Sequence, residues 1–177
     1  ATGTGDLAIA MARRIRDVQV LGVDLSEQML AVARRKIEAR GLDGRIVLDR
    51  GDAERLAVAD ASVDVATVAF GVRNFGDLGL RELARTIKPG GKVVILEFSR
   101  PRNRVFRALY EFYSYKILPR IGGLVSRDKR AYEYLPASVG EFPAPEEFMA
   151  MMARAGFRNC RARSQSFGIA QIYIGER

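Results

Sequence analysis

The sequence predicts an α/β fold: a mostly parallel sheet with helices on both faces, closed by a terminal antiparallel hairpin. Three observations predict it. Short apolar runs alternate with helix-period segments along the 177 residues, each of the first runs is apolar throughout, and Gly3-Thr4-Gly5 opens the first helical segment. Folds of this kind bind ligands beyond the C-terminal ends of their strands.

Ala1 to Gly5 read as a loop. Leu7, Ile9, Ala10, Met11 and Ile15 then recur at helical spacing, with Asp6 where a carboxylate favours a helix N-terminus. Val18 to Val23 is an apolar run ending at Asp24. Ser26 can cap the next helix, which carries Met29, Leu30, Val32, Ala33 and Ile37 and stops at Gly41. Ile46 to Leu48 and Val63 to Phe70 read as buried strands, the latter introduced by Ala59-Asp60-Ala61-Ser62. Asp77 to Ile87 is helical, Lys88-Pro89-Gly90-Gly91 breaks it, and Lys92 to Phe98 is a further apolar strand. Glu146 to Ala155 is a helix ending at Gly156, and Phe157 to Gln165 and Gly168 to Gly175 form the hairpin.

The length fits one domain over residues 1–177, and 48% hydrophobic residues suffice for a core. The single cysteine, Cys160, excludes an internal disulfide. The absence of histidine removes most zinc sites and every relay that needs an imidazole, so no metal is expected. Charge is concentrated: residues 100–130 hold nine basic residues against Glu111 and Asp128, a balance of +7 within a formal +8 for the chain. Phe106, Leu109, Tyr110, Tyr113 and Ile117 recur there at helical spacing. The segment at about 100–145 therefore reads as a basic, aromatic, lid-like insertion, and its amphipathic pattern suits peripheral contact with an anionic membrane or a packed lid. No RNA-binding motif accompanies the charge, so nucleic acid is not the expected partner.

Three features assemble into a nucleoside site. Glycines at 3 and 5 let the backbone approach a ligand closely, and Thr4 lies between them. Asp24, nineteen residues beyond Gly5 at the end of the next run, can accept hydrogen bonds from both ribose hydroxyls. After the third run, Asp52 can take an adenine amino group and Ala53 can donate its amide. Taken alone, Asp52 reads as the cap of a short helix. A nicotinamide dinucleotide and S-adenosylmethionine both fit this set, and Gly3-Thr4-Gly5-Asp6-Leu7-Ala8 matches a dinucleotide variant. Asp6, however, places a carboxylate where a pyrophosphate would sit, which favours the uncharged neighbourhood of S-adenosylmethionine.

Several motifs resemble one family. Ala1-Thr2-Gly3-Thr4-Gly5-Asp6, Phe70-Gly71-Val72-Arg73-Asn74-Phe75, and Arg85-Thr86-Ile87-Lys88-Pro89-Gly90-Gly91 leading to Leu96-Glu97-Phe98-Ser99 are similar to the ubiquinone/menaquinone C-methyltransferases, the UbiE or MenG family. Tyr110 to Val125, Tyr132 to Leu135 and Phe167-Gly168-Ile169-Ala170 extend the resemblance over essentially the whole chain. It implies a class I S-adenosylmethionine-dependent methyltransferase with a Rossmann-like sheet in the strand order 3-2-1-4-5-7-6, acting on a ring carbon of a polyprenylated quinol. The family's cofactor contacts fall on Thr4, Asp24, Asp52 and Ala53. Its first strand has no counterpart in these residues, which leaves the two neighbouring strands with unpaired edges. Thr86 stands where the family usually has Val, and Ala69 where some members have Ser. Phe167 to Gly175 and Tyr134-Leu135-Pro136 are closer to the menaquinone branch than to the ubiquinone branch.

With no histidine, Arg73 is the expected catalytic group, stabilising a phenolate or orienting a water that takes its proton, and Asn74 is expected to hold a ring oxygen. Asp6, Glu97 and Tyr132 are further candidates near the pocket. A cytoplasmic protein touching the inner face of the cytoplasmic membrane is the expected location.

Overall fold

The computed structural model describes residues 1–99 and 142–177. Most of the basic insertion, with Tyr132 and Tyr134-Leu135-Pro136, lies outside the described residues.

Helix α1 (Asp6–Arg14) follows the glycine loop, strand β1 (Val20–Asp24) follows it, and helix α2 (Glu27–Glu38) begins at Ser26, whose hydroxyl accepts from the Met29 amide at 3.3 Å. Strand β2 (Ile46–Arg50) lies parallel to β1, Val20 opposite Ile46 and Asp24 opposite Arg50. Ala8, Ile9 and Ala12 of α1 and Ala33 and Ile37 of α2 pack with Leu42 and Ile46. These spacings of three and four put one apolar face of each helix against the strands.

Strand β3 (Val63–Ala69), helix α3 (Asp77–Thr86) and strand β4 (Ile87–Phe98) come next, then helix α4 (Pro145–Arg154) and strands β5 (Arg158–Gln165) and β6 (Ala170–Glu176). The sheet order is β3-β4-β6-β5. β3 and β4 are parallel, and β6 is antiparallel to both β4 and β5. The expected terminal hairpin is present, and its second strand lies beside β4, the placement implied by the family strand order 3-2-1-4-5-7-6. A second core joins Val68, Leu80, Leu83, Val93, Ile95, Phe148, Met152, Phe157 and Tyr173.

The strands form two sheets, with the break between β1 and β3. Residues 1 and 2 lie there: the Thr2 amide donates to the Val23 carbonyl at 2.9 Å, and a Cβ on Gly71 would collide with Ala1. This division corrects the reading of the early runs as fully buried strands. In β2 only Ile46 is buried and Val47 is 60% exposed; in β3 only Val68 is buried. Val65 of β3 is likewise exposed, at 52%.

The Lys88-Pro89-Gly90-Gly91 segment, expected to separate helix from strand, lies inside β4. Val63 pairs with Ile87 while Val65 pairs with Lys92, so the extra residues form a bulge. Gly90 has φ +80°, and its amide donates to the Arg177 carbonyl, while the Arg177 amide donates to Gly91. The chain's last residue holds the glycine pair in the sheet.

Candidate active site

Thr2 to Asp6 turn sharply at the C-terminal end of β1. Gly3 and Gly5 have φ of +56° and +78°, a region glycine enters without steric cost. A Cβ on Gly5 would stand 3.0 Å from the Ala33 Cβ, so this glycine also lets α1 pack close to α2. A Cβ on Gly3 would meet nothing within 4 Å. The space above Gly3 is open.

Asp24 closes this loop. Its Oδ2 accepts from the Gly3 amide at 2.7 Å and its Oδ1 from the Ser26 amide at 2.9 Å. Each carboxylate oxygen has two acceptor positions, so each keeps one for a ligand hydroxyl. The Asp24 carbonyl accepts from the Gly51 amide at 3.1 Å, which brings the loop after β2 alongside. In that loop the Asp52 carboxylate accepts from the Glu54 amide at 2.9 Å, and the Arg55 amide donates to the Asp52 carbonyl. Residues 52–55 are therefore a turn and not a helix start, which corrects the capping alternative. Gly3, Thr4, Gly5, Asp24, Asp52 and Ala53 sit together at one end of β1 and β2.

Lys36 of α2 belongs to this cluster and sequence reasoning missed it. Its Nζ donates to Asp6 at 2.6 Å and to the Thr4 Oγ1 at 3.2 Å, while the Thr4 hydroxyl donates to Asp6 at 2.7 Å. The Thr4 side chain is thereby committed to the loop's own structure. The hydrogen bonds from Lys36 and Thr4 hold the Asp6 carboxyl below the ordinary aspartate range. Lys36 also neutralises Asp6, so the expected repulsion of a pyrophosphate by Asp6 loses most of its force. No local pattern marks Lys36, because its partner is 30 residues away.

The second cluster stands at the ends of β3 and β4. Arg73 lies in a single turn of 3-10 helix, Val72–Asn74, just past β3. Its Nη1 donates to the Glu97 Oε1 at 2.7 Å and to the Phe70 carbonyl at 2.8 Å, and its amide donates to the Glu97 Oε2 at 3.3 Å. Glu97 also accepts from the Phe98 amide at 2.8 Å. Val93, Ile95 and Glu97 are the buried face of β4, so the apolar alternation ends in a carboxylate with no solvent exposure. Such a charge persists when paired and hydrogen-bonded. The buried Arg73 Nε has no hydrogen-bond partner among the described residues. Arg73 is thus an ion-paired arginine whose buried Nε–H is unused among the described residues, and Asn74 is exposed beside it. The rings of Phe70 and Phe98 lie 4.4 Å apart at 31°, with the Arg73 guanidinium carbon 5.9 Å from the Phe98 centroid. Glu97, a candidate from the sequence, enters this cluster as the partner of Arg73, and both rings lie in the motifs that carry the family resemblance, though sequence reasoning assigned neither a role in the site.

All 177 residues match the model of the ubiE/COQ5 methyltransferase family. A ubiquinone/menaquinone biosynthesis C-methyltransferase of Geobacter sulfurreducens is 49% identical over 180 residues, covering 100% of this chain and 70% of that protein. A demethylmenaquinone methyltransferase of Thermus thermophilus is 48% identical over 179 residues, covering 100% of this chain and 80% of its own length. Among solved structures, an S-adenosylmethionine-dependent methyltransferase from Aquifex aeolicus is similar with a TM-score of 0.71 at 17% identity, over 99% of this chain and 79% of that one. The likeness to that structure is one of fold.

Proposed function

The chain belongs to the ubiE/COQ5 methyltransferase family, and from that premise we propose that it moves a methyl group from S-adenosylmethionine to a ring carbon of a polyprenylated quinol, with demethylmenaquinol as the acceptor. The observation that carries this reading is the match of the whole chain, joined by relatives at 48% and 47% identity named as demethylmenaquinone methyltransferases. Relatives named for both quinones favour a second reading, the corresponding ring methylation in the ubiquinone pathway.

The first cluster fits the nucleoside half of the donor. Asp24 offers two acceptor positions to ribose hydroxyls, the open space above Gly3 admits a ligand against the backbone, and Asp52 and Ala53 are suited to an adenine edge. Gly3, Thr4 and Gly5 act through their backbone. S-adenosylmethionine, when bound, supplies an electrophilic methyl group for an in-line displacement. The protein's part is to align the acceptor and exclude water.

A quinol carbon becomes nucleophilic when a neighbouring hydroxyl ionises, and phenols do so near pH 10. Arg73 favours that ionisation as a fixed hydrogen-bond donor to the phenolate oxygen, with the hydroxyl proton and, after transfer, the ring proton at the methylated carbon both leaving to water. Because Glu97 offsets its charge, its effect is local and depends on geometry. Asn74 holds a ring oxygen.

No helix among the described residues is long and apolar enough to cross a membrane. Peripheral contact at the inner face of the cytoplasmic membrane, through the basic 100–130 window, goes with a prenylated acceptor. Co-sedimentation with anionic liposomes at low salt tests that contact, and its absence removes it.

The function is tested by incubating the protein with labelled S-adenosylmethionine and demethylmenaquinol. Label in the quinone that disappears in Asp24→Ala supports the reading. Binding of NAD in place of S-adenosylmethionine, measured by calorimetry, overturns it in favour of an oxidoreductase.

A further inference from the structure

We propose that Phe70 is the platform on which the aromatic methyl acceptor stacks, a specificity-determining residue for the reaction; the identity of that acceptor rests on the function proposed above. Phe70 follows the last residue of β3, and its amide donates to the Leu96 carbonyl at 2.8 Å. Its φ is +58°, a left-handed conformation that is a genuine outlier for a bulky side chain. A glycine is adjacent but does not take this conformation: Gly71 has φ −127°, and a Cβ there would strike Ala1. The strained position therefore falls on an aromatic ring.

Strain of this kind persists where the surroundings impose it, and it is found at ligand sites. Here the surroundings are identifiable. The Phe70 carbonyl is held by the Arg73 Nη1, and one side of the ring is held by Phe98. Phe70 is nevertheless 39% exposed at the end of the parallel strands, where ligands of such sheets bind. An apolar ring stacked on Phe98, partly exposed, and in a residue whose carbonyl is held by an arginine suits a flat aromatic ligand whose edge carries an ionisable hydroxyl. A quinol ring has both features. A free aliphatic chain has neither.

The geometry makes an unusual prediction. Glycine adopts φ +58° without cost, so Phe70→Gly removes the strain together with the platform. The melting temperature should fall modestly, because the contact with Phe98 is lost while the backbone strain is relieved; KM for a short-chain demethylnaphthoquinol should rise at least tenfold and the dissociation constant for S-adenosylmethionine should stay within twofold. Phe70→Tyr, which keeps the ring, should keep the parent KM. Binding of 1,4-naphthoquinone, followed by NMR, is measured in parallel and should be lost in Phe70→Gly.

Loss of naphthoquinone binding in Phe70→Tyr, which keeps the ring, overturns the proposal. An unchanged KM and unchanged naphthoquinone binding in Phe70→Gly overturn it too. If the parent binds naphthoquinone through Phe70 but methylates no quinol, the platform stands and the proposed function falls. If the parent binds no naphthoquinone, the platform falls.

Discussion

The guanidinium of Arg73 and the carboxylate of Glu97 meet at 2.7 Å, with side-chain exposures of 12% and 0%, at the end of the parallel strands. A second bond, from the Arg73 amide at 3.3 Å, ties the turn itself to the same carboxylate. Glu97 therefore orients Arg73 through its side chain and its backbone.

Removing one partner of this pair leaves the other as a buried, uncompensated charge. Glu97→Gln should destabilise the protein by about 3 to 5 kcal/mol. The double change Arg73→Met with Glu97→Leu should recover much of that stability, since replacing a buried pair by apolar residues is often neutral, yet it should not recover methyl transfer. Urea titration measures the first effect and the labelled-quinol assay the second. Arg73→Lys keeps the charge without the planar fork and should lower kcat by about 100-fold, the scale of losing one aimed donor.

Tyr173 on β6 is fully buried against Phe148, and its hydroxyl has no hydrogen-bond partner among the described residues. Burial raises its pKa well above the ordinary tyrosine value, and Glu97 and Glu146 add to the rise. With the folded pKa above the unfolded one, the stability it contributes is fully present below about pH 10 and is lost as pH climbs from there toward the folded value. Tyr173→Phe should remove this alkaline loss. It should also stabilise the protein near neutrality by up to about 1 kcal/mol, because a buried unpaired hydroxyl is eliminated. Denaturation at pH 8 and pH 10.5 separates the two effects.

The Asp6 carboxyl titrates below its ordinary value because Lys36 and Thr4 donate to its charged form. The sign is opposite to that for Tyr173. The stability it contributes is present above about pH 4 and is lost as pH falls through the depressed folded pKa. Asp6 is 75% exposed, so Lys36→Met should cost less than about 1 kcal/mol at neutral pH. An NMR titration of the Asp6 carboxyl should move back toward the ordinary range in that variant, and an unmoved titration would contradict the pairing.

Asp24 makes two charge-assisted bonds to backbone amides on either side of it. Asp24→Ala should weaken S-adenosylmethionine binding by roughly 10- to 150-fold for each such bond that the ligand depends on, the range expected from about 1.5 to 3 kcal/mol. Asp24→Asn keeps the shape and should fall between the parent and Asp24→Ala. Calorimetry reads all three.

Much of the fold is legible in the sequence because it is written locally. Ala8, Ile9 and Ala12, or Leu30, Ala33 and Ile37, fall on one helix face at spacings of three and four, and both sets are buried. The glycine loop and Asp24 are legible for the same reason: a turn that needs positive φ and an acid at a strand end are short-range patterns. The Lys88 to Gly91 segment misleads because its turn residues are retained as a bulge by Arg177, far along the chain.

Local pattern is enough to give the α/β order of elements, the glycine loop with its acid at a strand end, and the resemblance to a methyltransferase family. Which charges neutralise one another is set by how the elements pack. Lys36 reaches Asp6 across 30 residues and Arg73 reaches Glu97 across 24, and no periodicity of one helix or strand encodes either pair. Such contacts depend on how separate elements are set side by side, and in a poorly solvated interior that placement fixes whether an arginine is a free cation or half of a neutral pair.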